Sequence, residues 1–538
     1  MGASRPKIFA PMERAKPTHH LLVRLSALLD FGPLEAGCQG YAHVSGPGAK
    51  PTHTIARLVR AVTVKNLFDW SLRATEENLK YNLLLRWFVG YGLLEAVPDH
   101  STLDRFEQWL RAHQPWLFFD TILKQIDQAL PHLRQGEQIG DTYACRANAA
   151  QEGTIDLLRH TSRLLLAALQ SDAPQVQATV LRQLDGERLF GPAAERNEYY
   201  LPEAERVLRQ QDTVAGAWQL RQLVMGQLDP VPEPLKGVQE RMDDLGKIIA
   251  DEFQVTQGAD GQLTAVVERD AKHKGAYRLH SATDRSATVR NHGHDCTLGY
   301  NVSLAISPSG FIREIQAATG AEPDQAGVAD LIRAQREHHQ LCPDKLIYDQ
   351  AAGAGRTRAE VAQASDGQTQ LVARIPPPSV RGRYTPADFH FQAEGLLECP
   401  AERTTASHHR ASDRDGWLYT FSGKTCQGYP LWGQCREPDA RPNGPRRVFI
   451  SDYQDEIRQA QTYNQSEAFK QDMRLRPRFE RIIFMLTHYD GARRARGRGL
   501  PAADFQAKMC ASMRNLRTWL KRFAPPELAL CQNQAEGG

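Results

Sequence analysis

The sequence predicts a mixed α/β protein preceded by a helical segment, and two patterns carry this prediction. Residues 300–349 read as two strands around a Ser-Pro-Ser-Gly turn, then a helix, then a third strand, an order typical of a mixed α/β layer. Residues 55–130 instead space their apolar residues as helices do. With 538 residues, 41% of them hydrophobic, the chain is long enough for roughly two to four domains with real cores.

Composition excludes several classes of protein. No stretch reaches the roughly 18 consecutive apolar residues of a membrane helix, and no signal-peptide core is visible, so we expect a cytoplasmic protein without membrane contact. Nine cysteines, an odd number and mostly isolated, argue against a disulfide scaffold. The net charge of +3 is unremarkable, so any nucleic-acid surface must be a local patch.

The N-terminal helical segment has a break at residues 97–101. Pro98 and Asp99 are expected to end one helix, and Ser101 is expected to cap the next. Trp87 and Phe88 are expected in its core. The pattern fits a plain helical bundle as well as a helix-turn-helix DNA reader.

Extended and helical segments then alternate. Residues 136–150 read as a short strand carrying Asp141, and residues 151–252 read as helices that look inserted. A hairpin at 300–320 and a helix at 325–340 lead to the strand Lys-Leu-Ile-Tyr-Asp, which ends at Asp349.

The C-terminal third combines a loop-rich stretch with helices. Residues 375–450 are rich in Pro, Gly, Arg and Ser. Residues 464–490 contain a helix whose apolar residues recur at helical spacing, with Glu480 beside the stripe. An amphipathic helix over 505–523 is expected to close the fold.

Asp349 precedes a small-residue loop, Gln-Ala-Ala-Gly-Ala-Gly, for which three interpretations compete. A phosphate-binding loop fails on spacing, because Gly353 and Gly355 are only two positions apart and no lysine follows them. A helix N-cap and a metal-binding carboxylate both remain. Two strand-borne aspartates and one helix-borne glutamate, Asp141, Asp349 and Glu480, would suit two-metal phosphodiester chemistry, since Mg²⁺ prefers oxygen ligands.

Arginines are concentrated around the predicted glutamate helix. Eight lie between residues 474 and 498, opposed only by Glu480 and Asp490. Such a run is either a solvated face or a surface for DNA phosphates, and its place beside Glu480 favours phosphate contact.

Several segments resemble DDE-type transposases of bacterial insertion sequences, in the family's order. These are YNLLLRWFVGYGLLEAVPDHSTLDRF (81–106), GDTYACRANA around Asp141, residues 280–307 with Gly-Tyr-Asn, LIYDQAAG around Asp349, and RLRPRFERIIFMLTHYD around Glu480. The resemblance covers roughly residues 55–525. Departures are Thr142-Tyr143 in the first motif, and Met473 and Thr487 where the family often has tyrosine and lysine.

The resemblance implies an RNase H-like mixed-sheet catalytic core with helical and Cys-containing insertions, behind an all-α N-terminal domain. Its catalytic and metal-binding triad would be Asp141, Asp349 and Glu480, holding Mg²⁺ or Mn²⁺. Arg476 would orient DNA or substrate. The arginines expected at DNA are Arg476, Arg481, Arg493, Arg494, Arg496 and Arg498.

The domains expected on this basis are an N-terminal DNA-binding domain over 1–130 and a core assembled from 131–150, 265–375 and 460–525. A helical insertion would span 151–264, a Cys-containing insertion 376–459, and a polar tail 526–538. In the second insertion Cys399, Cys426 and Cys435 supply three of the four ligands that zinc needs, and His408 or His409 could supply the fourth. A packed insertion without metal is the alternative.

The function implied is metal-dependent cleavage at the ends of a mobile element and strand transfer into target DNA. Expected partners are the element's terminal inverted repeats, target DNA and a second copy of the chain in a homodimer, with the protein associated with a bacterial nucleoid. Two alternatives remain open: a DNA-binding protein derived from a transposase, and a metal-dependent nuclease.

Overall fold

The computed structural model describes most of the chain. The described residues are 19–43, 53–192, 200–228, 235–259, 261–292, 295–375, 384–392, 395–426, 431–436, 440–441 and 444–524. The predicted polar tail, residues 1–18 of the predicted N-terminal domain and part of the predicted Cys-containing insertion lie outside them.

The described N-terminal part is helical, as predicted. Its helices are α1 (Leu21–Leu28), α2 (Gly32–Gly37), α3 (Ile55–Leu67), α4 (Leu72–Tyr81), α5 (Leu83–Val89), α6 (His100–His113) and α7 (Leu117–Ala129). Their apolar faces, including Trp87 and Phe88, form one buried cluster. This confirms that the two aromatic residues belong to the core.

The break between α5 and α6 differs in detail from the prediction. Helix α5 ends at Val89, not at Pro98, because the next residue, Gly90, takes up a left-handed φ of 96° that stops the helix. The N-cap of α6 is Asp99, whose carboxylate accepts a hydrogen bond from the Thr102 amide at 2.7 Å. Ser101 is therefore inside the helix, and its hydroxyl supports the cap by donating to Asp99.

The central layer is a six-stranded mixed sheet, which confirms the α/β prediction. Its strands are β1 (Glu137–Arg146), β4 (Thr288–His292), β5 (Asp295–Ile306), β6 (Ile312–Thr319), β7 (Lys345–Ile347) and β8 (Gln370–Val372). Strands β4 and β6 both pair with β5, and the order then runs β5-β1-β7-β8. β5 and β6 form the predicted hairpin. Helices α13 (Val328–His339) and α14 (Gly355–Ala364) connect the later strands.

Strand β1 is the junction between two kinds of pairing. It pairs antiparallel with β5 and parallel with β7, and β7 pairs parallel with β8. The carboxyl ends of β1, β7 and β8 consequently lie at one edge of the sheet.

The described segment between β1 and β4 is helical over the predicted range 151–252 and then forms a hairpin that the helical pattern did not predict. It comprises α8 (Thr154–Asp172), α9 (Pro174–Gln183), α10 (Gly186–Phe190), α11 (Glu203–Gln227), α12 (Lys236–Glu252), and the hairpin β2 (Phe253–Gln257) with β3 (Leu263–Glu268). Its apolar residues pack into a cluster of their own.

Small sheets follow β8. The strands are β9 (His390–Phe391), β10 (Leu397–Glu398), β11 (Thr404–Thr405), β12 (His408–Arg410), β13 (Gly416–Phe421) and β14 (Arg446–Ser451), with short helices α15 (Gly423–Cys426) and α16 (Trp432–Cys435). They form two three-stranded sheets around a small apolar cluster.

Four helices complete the described chain: α17 (Gln454–Asn464), α18 (Glu467–Met473), α19 (Pro477–Tyr489) and α20 (Leu500–Thr518), the last followed by a π-helical turn, Trp519–Phe523. The prediction of an amphipathic last helix was wrong. Helix α20 is buried nearly all round, including Lys508 and Asn515, because it lies between the N-terminal helices and the sheet.

A search of the described helices finds none with the length and apolar character needed to cross a lipid bilayer.

Candidate active site

The three predicted carboxylates, Asp141, Asp349 and Glu480, line one open cleft of about 480 Å³. They lie 208 and 131 residues apart in the chain (349 − 141 and 480 − 349), so only the fold brings them together. Arg374, Gln350 and the predicted Arg476 line the same cleft.

The register of the parallel strands places the two aspartates side by side. Ile139 of β1 is paired with Ile347 of β7. Each aspartate follows its isoleucine by two residues, and side chains two apart in an extended chain point to the same face. Asp141 and Asp349 therefore leave neighbouring strands at the same level of the sheet.

The same register delivers a basic residue that sequence reasoning missed. Ile347 is paired with Val372 of β8, and Arg374 follows Val372 by two residues. Arg374 is exposed and lines the cleft, and no described side chain forms an ion pair with it. The repeated pattern Ile-Gly-Asp, Ile-Tyr-Asp and Val-Ala-Arg on three extended segments could have revealed this row.

Close packing between β1 and β7 fixes the two aspartates. Tyr348, which directly precedes Asp349, is fully buried. A Cβ atom on Gly140 would lie 2.6 Å from the Tyr348 ring, so glycine is the residue that lets this ring pack against β1.

Glu480 reaches the cleft from helix α19. Pro477 occupies the first turn, where its missing N–H costs nothing, and Phe479 and Leu486 bury a different side of the helix from Glu480. Glu480 is thus directed outward and is exposed. None of the described residues donates a hydrogen bond to its carboxylate.

Asp141 is the most constrained of the three carboxylates. One oxygen accepts from the Thr142 amide at 2.8 Å, and the other accepts from the Arg476 guanidinium at 2.8 Å. Burial raises the pKa of Asp141, Arg476 counteracts this, and the nearby charge of Asp349 adds to the rise. Arg476, at the start of α19, therefore contacts the triad through Asp141 on β1.

Asp349 combines the two interpretations that the sequence left open. Its Oδ1 accepts a hydrogen bond from the Ala351 amide at 2.9 Å and caps the 3₁₀ turn Gln350–Gly353. Capping occupies only one carboxylate oxygen. The side chain can therefore cap the turn and also line the cleft beside Asp141.

The donors in the cleft suit a hard divalent cation, because all three are carboxylates. In the described part of the chain, however, no three acidic, histidine or cysteine groups are drawn together at metal-ligand spacing. The cleft thus has the right chemistry in an open arrangement, with Arg476 holding one Asp141 oxygen.

Four of the predicted DNA-binding arginines lie in the loop after α19, which is fastened to the end of β1. The Arg146 amide donates to the Arg493 carbonyl at 3.0 Å, and the Ala495 amide donates to the Arg146 carbonyl at 2.8 Å. Arg493 and Arg494 are exposed and, with Arg496, line a cavity of about 810 Å³ against α3 and α6.

The remaining arginines are placed differently. Arg496 is ion-paired with Asp69, and Arg498 donates to the Asn148 carbonyl at 3.2 Å. Arg481 does not reach the cleft of Glu480 and lies on another face of α19.

The three clustered cysteines lie within the described residues and share a cavity, but they are not drawn together at metal-ligand spacing. Cys399, Cys426 and Cys435 line one small apolar cavity, and burial raises the pKa of the Cys426 and Cys435 thiols. Neither His408 nor His409 lines it.

Comparisons with known proteins bear on both ends of the chain. A family model described as "Transposase domain (DUF772)" matches residues 10–109. One described as "Transposase DDE domain" matches residues 398–520, which include α19 and Glu480. The chain belongs to the DDE-type transposases.

In this transposase the first matched range ends at residue 109, before β1, and the second begins at residue 398, after Asp349. The two aspartates are therefore supported by the sheet register and the shared cleft, not by the family models. No curated protein matches the chain. No solved structure matches it either.

Proposed function

We propose that this transposase catalyses metal-dependent cleavage at the ends of a mobile element and joins those ends to target DNA. The observation that carries the proposal is the shared cleft of Asp141, Asp349 and Glu480, contributed by two parallel strands and a helix. The sheet order β6-β5-β1-β7-β8, with antiparallel strands before parallel ones, supports an RNase H-like catalytic core.

The domain ranges predicted from the sequence form part of the proposal. A separate apolar cluster supports a helical insertion at 151–264, and another supports an insertion at 376–459. The N-terminal helices would bind DNA, with the core assembled from 131–150, 265–375 and 460–525.

Each group in the cleft has a role in this chemistry. Bound Mg²⁺ or Mn²⁺, held by the three carboxylates, would activate the attacking oxygen and stabilise the leaving oxygen. Arg476 orients Asp141 through its 2.8 Å hydrogen bond. Arg374, exposed at the end of β8, is placed to bind the phosphate that undergoes substitution. Water, and then a DNA 3′-hydroxyl, would be the nucleophiles.

DNA is the proposed partner, through the terminal inverted repeats of the element and through target DNA. The exposed Arg493 and Arg494, fixed to the end of β1, support phosphate contact beside the core. A homodimer would hold the two ends together.

The triad is tested with Asp141→Asn, Asp349→Asn and Glu480→Gln, which keep side-chain size. We expect each to abolish cutting and joining of duplexes that carry the DNA flanking this gene, in Mg²⁺ and in Mn²⁺. DNA affinity, measured by fluorescence anisotropy without metal, should persist. Joining by any of the three variants would refute the assignment.

Two alternatives have distinct outcomes. The open arrangement of the carboxylates, with Arg476 on Asp141, favours a DNA-binding protein without catalysis as the second candidate. Sequence-specific binding with no cutting by the unaltered protein would establish it. Cut ends without joined products would instead indicate a nuclease.

Zinc at the three cysteines stays a separate hypothesis. The shared cavity of Cys399, Cys426 and Cys435 supports it, and the packing of Cys399 and Cys426 against an apolar cluster supports the alternative. Metal analysis of the purified protein distinguishes the two, since zinc at less than a tenth of the protein's molar amount would exclude a structural site.

A further inference from the structure

A second basic groove lies on a different face of α19 from the cleft. Its volume is about 390 Å³, and it is bounded by α19, the β5–β6 turn and the end of α20 with the π-helical turn. Six cationic residues line it: Arg478, Arg481, Arg514, Arg517, Lys521 and Arg522.

Two of these cations, Arg514 and Arg517, are paired with a buried carboxylate beneath the groove, Asp490. Asp490 is buried, and it accepts a hydrogen bond from the Arg514 Nε at 2.6 Å. Arg517 lies 3.6 Å from the other Asp490 oxygen. These two arginines therefore belong to the framework of the groove.

The other four cations are exposed and have no carboxylate partner among the described residues. They are Arg478 and Arg481 on the α19 wall, and Lys521 and Arg522 on the opposite wall. Like charges that converge on a concave surface raise the local potential and attract a polyanion, whereas like charges on a convex face are readily solvated. The groove is thus suited to an anionic occupant.

The β5–β6 turn holds one arginine from each wall. The Arg478 Nη1 donates weakly to the Pro308 carbonyl at 3.4 Å, and the Arg522 Nη1 donates to the Ser309 carbonyl at 3.0 Å. Gly310, with a φ of 91°, leaves room for the Arg522 guanidinium 3.4 Å from where a Cβ would be. The two walls are therefore set in a fixed spacing before any ligand binds.

Cations dominate the lining, and the side chains that read adenine and cytosine edges are missing from its described residues. Besides the cations it has apolar residues, a proline, a glycine and the hydroxyls of Ser307 and Thr518. Asparagine, glutamine and acidic side chains, which read bases, are absent from the lining that the structure describes. Such a lining favours contacts to phosphates, which carry no sequence information.

We propose that this groove binds a second DNA duplex through its phosphates, without sequence preference, while the first occupies the carboxylate cleft. Arg478 and Arg481 turn toward the groove from the same helix that turns Glu480 toward the cleft. The role of this duplex as the target of joining rests on the proposed function.

The binding part is tested with Arg478→Gln/Lys521→Gln and a labelled random-sequence duplex of 30 base pairs, without metal. We expect about tenfold weaker binding near 100 mM salt and a log–log salt slope reduced by about 2, because two phosphate contacts are lost. Arg182→Gln/Lys272→Gln removes the same charge from exposed positions elsewhere and should change neither value. The single variant Arg478→Lys keeps the charge and should retain most of the affinity of the unaltered protein.

Unchanged affinity and slope in a folded double variant would overturn the proposal and would leave another polyanion, such as an acidic protein segment, as the occupant. Because this binding measurement needs no catalysis, its outcome does not depend on the transposase assignment.

A second arm distinguishes the two possible duplexes. With DNA carrying the flanking sequence of this gene, the double variant should cut ends at the normal rate and join them to plasmid at least tenfold more slowly. An equal loss of cutting and joining would place the element end in the groove and overturn the assignment of a second duplex. If the unaltered protein neither cuts nor joins, the proposed function fails, and the affinity arm alone decides whether the groove binds DNA.

Discussion

At the scale of single residues, position in the sheet decides which side chains meet. Asp141, Asp349 and Arg374 each stand two residues beyond paired positions on three parallel strands, so they emerge at one level. The two aspartates nevertheless differ. Asp141 is held by Arg476, and burial raises its pKa, whereas Asp349 caps a 3₁₀ turn.

Arg374 offers a test at this scale. We expect Arg374→Gln to slow cutting and joining by about 10²-fold, because a fixed donor to the phosphate would be lost. Its exposure and lack of an ion-pair partner among the described residues predict normal stability. Arg374→Lys should retain part of the rate. Rates are measured at saturating DNA, with Arg182→Gln as the control, and a normal rate for Arg374→Gln would remove Arg374 from the site.

At the scale of elements, the packing of β1 against β7 aligns the site. The Tyr348 ring fills the space beside Gly140, next to the parallel pairing of Ile139 with Ile347. Helix α19 contributes Glu480 because Phe479 and Leu486 anchor its other side. Strand register and helix rotation thus place the carboxylates more than any local motif does.

Substitution of Gly140 tests this alignment. Gly140→Ala should lower the free energy of unfolding by about 1–3 kcal/mol, because its methyl group would overlap the Tyr348 ring. It should also slow end cutting under conditions where the protein stays folded. Gly153→Ala is a suitable control, since nothing lies within 4 Å of its Cβ position.

Denaturant unfolding and cutting rates provide the measurement. The double variant Gly140→Ala/Tyr348→Leu, which removes the ring, should recover part of the lost stability. Equal stability of Gly140→Ala and Gly153→Ala would show that the close contact does not constrain β1.

At the scale of the whole molecule, helix α20 joins two hydrophobic cores. Met513 and Leu516 belong to the cluster of the N-terminal helices, whereas Ala507 and Ala511 belong to the cluster of the sheet. The predicted ranges 1–130 and 460–525 are thus in close contact through one buried helix. This explains why α20 lacks a solvent-exposed polar face.

Leu516 tests this coupling. Leu516→Ala should cost about 2–5 kcal/mol, since the side chain is fully buried. Hydrogen exchange should become faster in α3 of the N-terminal cluster and in β6 of the sheet together. Leu208→Ala, at an exposed position, serves as the control. Faster exchange confined to the N-terminal helices would contradict the coupling.

The sequence by itself determined the class of the protein and most of its elements. Helical periodicity indicated the N-terminal helices, the Ser-Pro-Ser-Gly turn indicated the β5–β6 hairpin, and the motifs around Asp141, Asp349 and Glu480 indicated the family. These features depend on neighbours within a few residues, so local propensity and spacing suffice to predict them.

Only the tertiary structure decided how distant segments meet. Four features join residues far apart in the chain. They are the alignment of Arg374 with the two aspartates, the Arg476–Asp141 hydrogen bond, the second basic groove and the burial of α20. Such contacts are set by strand register and by the competition of whole helices for apolar surface. The periodicity of one helix shows which residues share a face, but not how many faces its neighbours will cover.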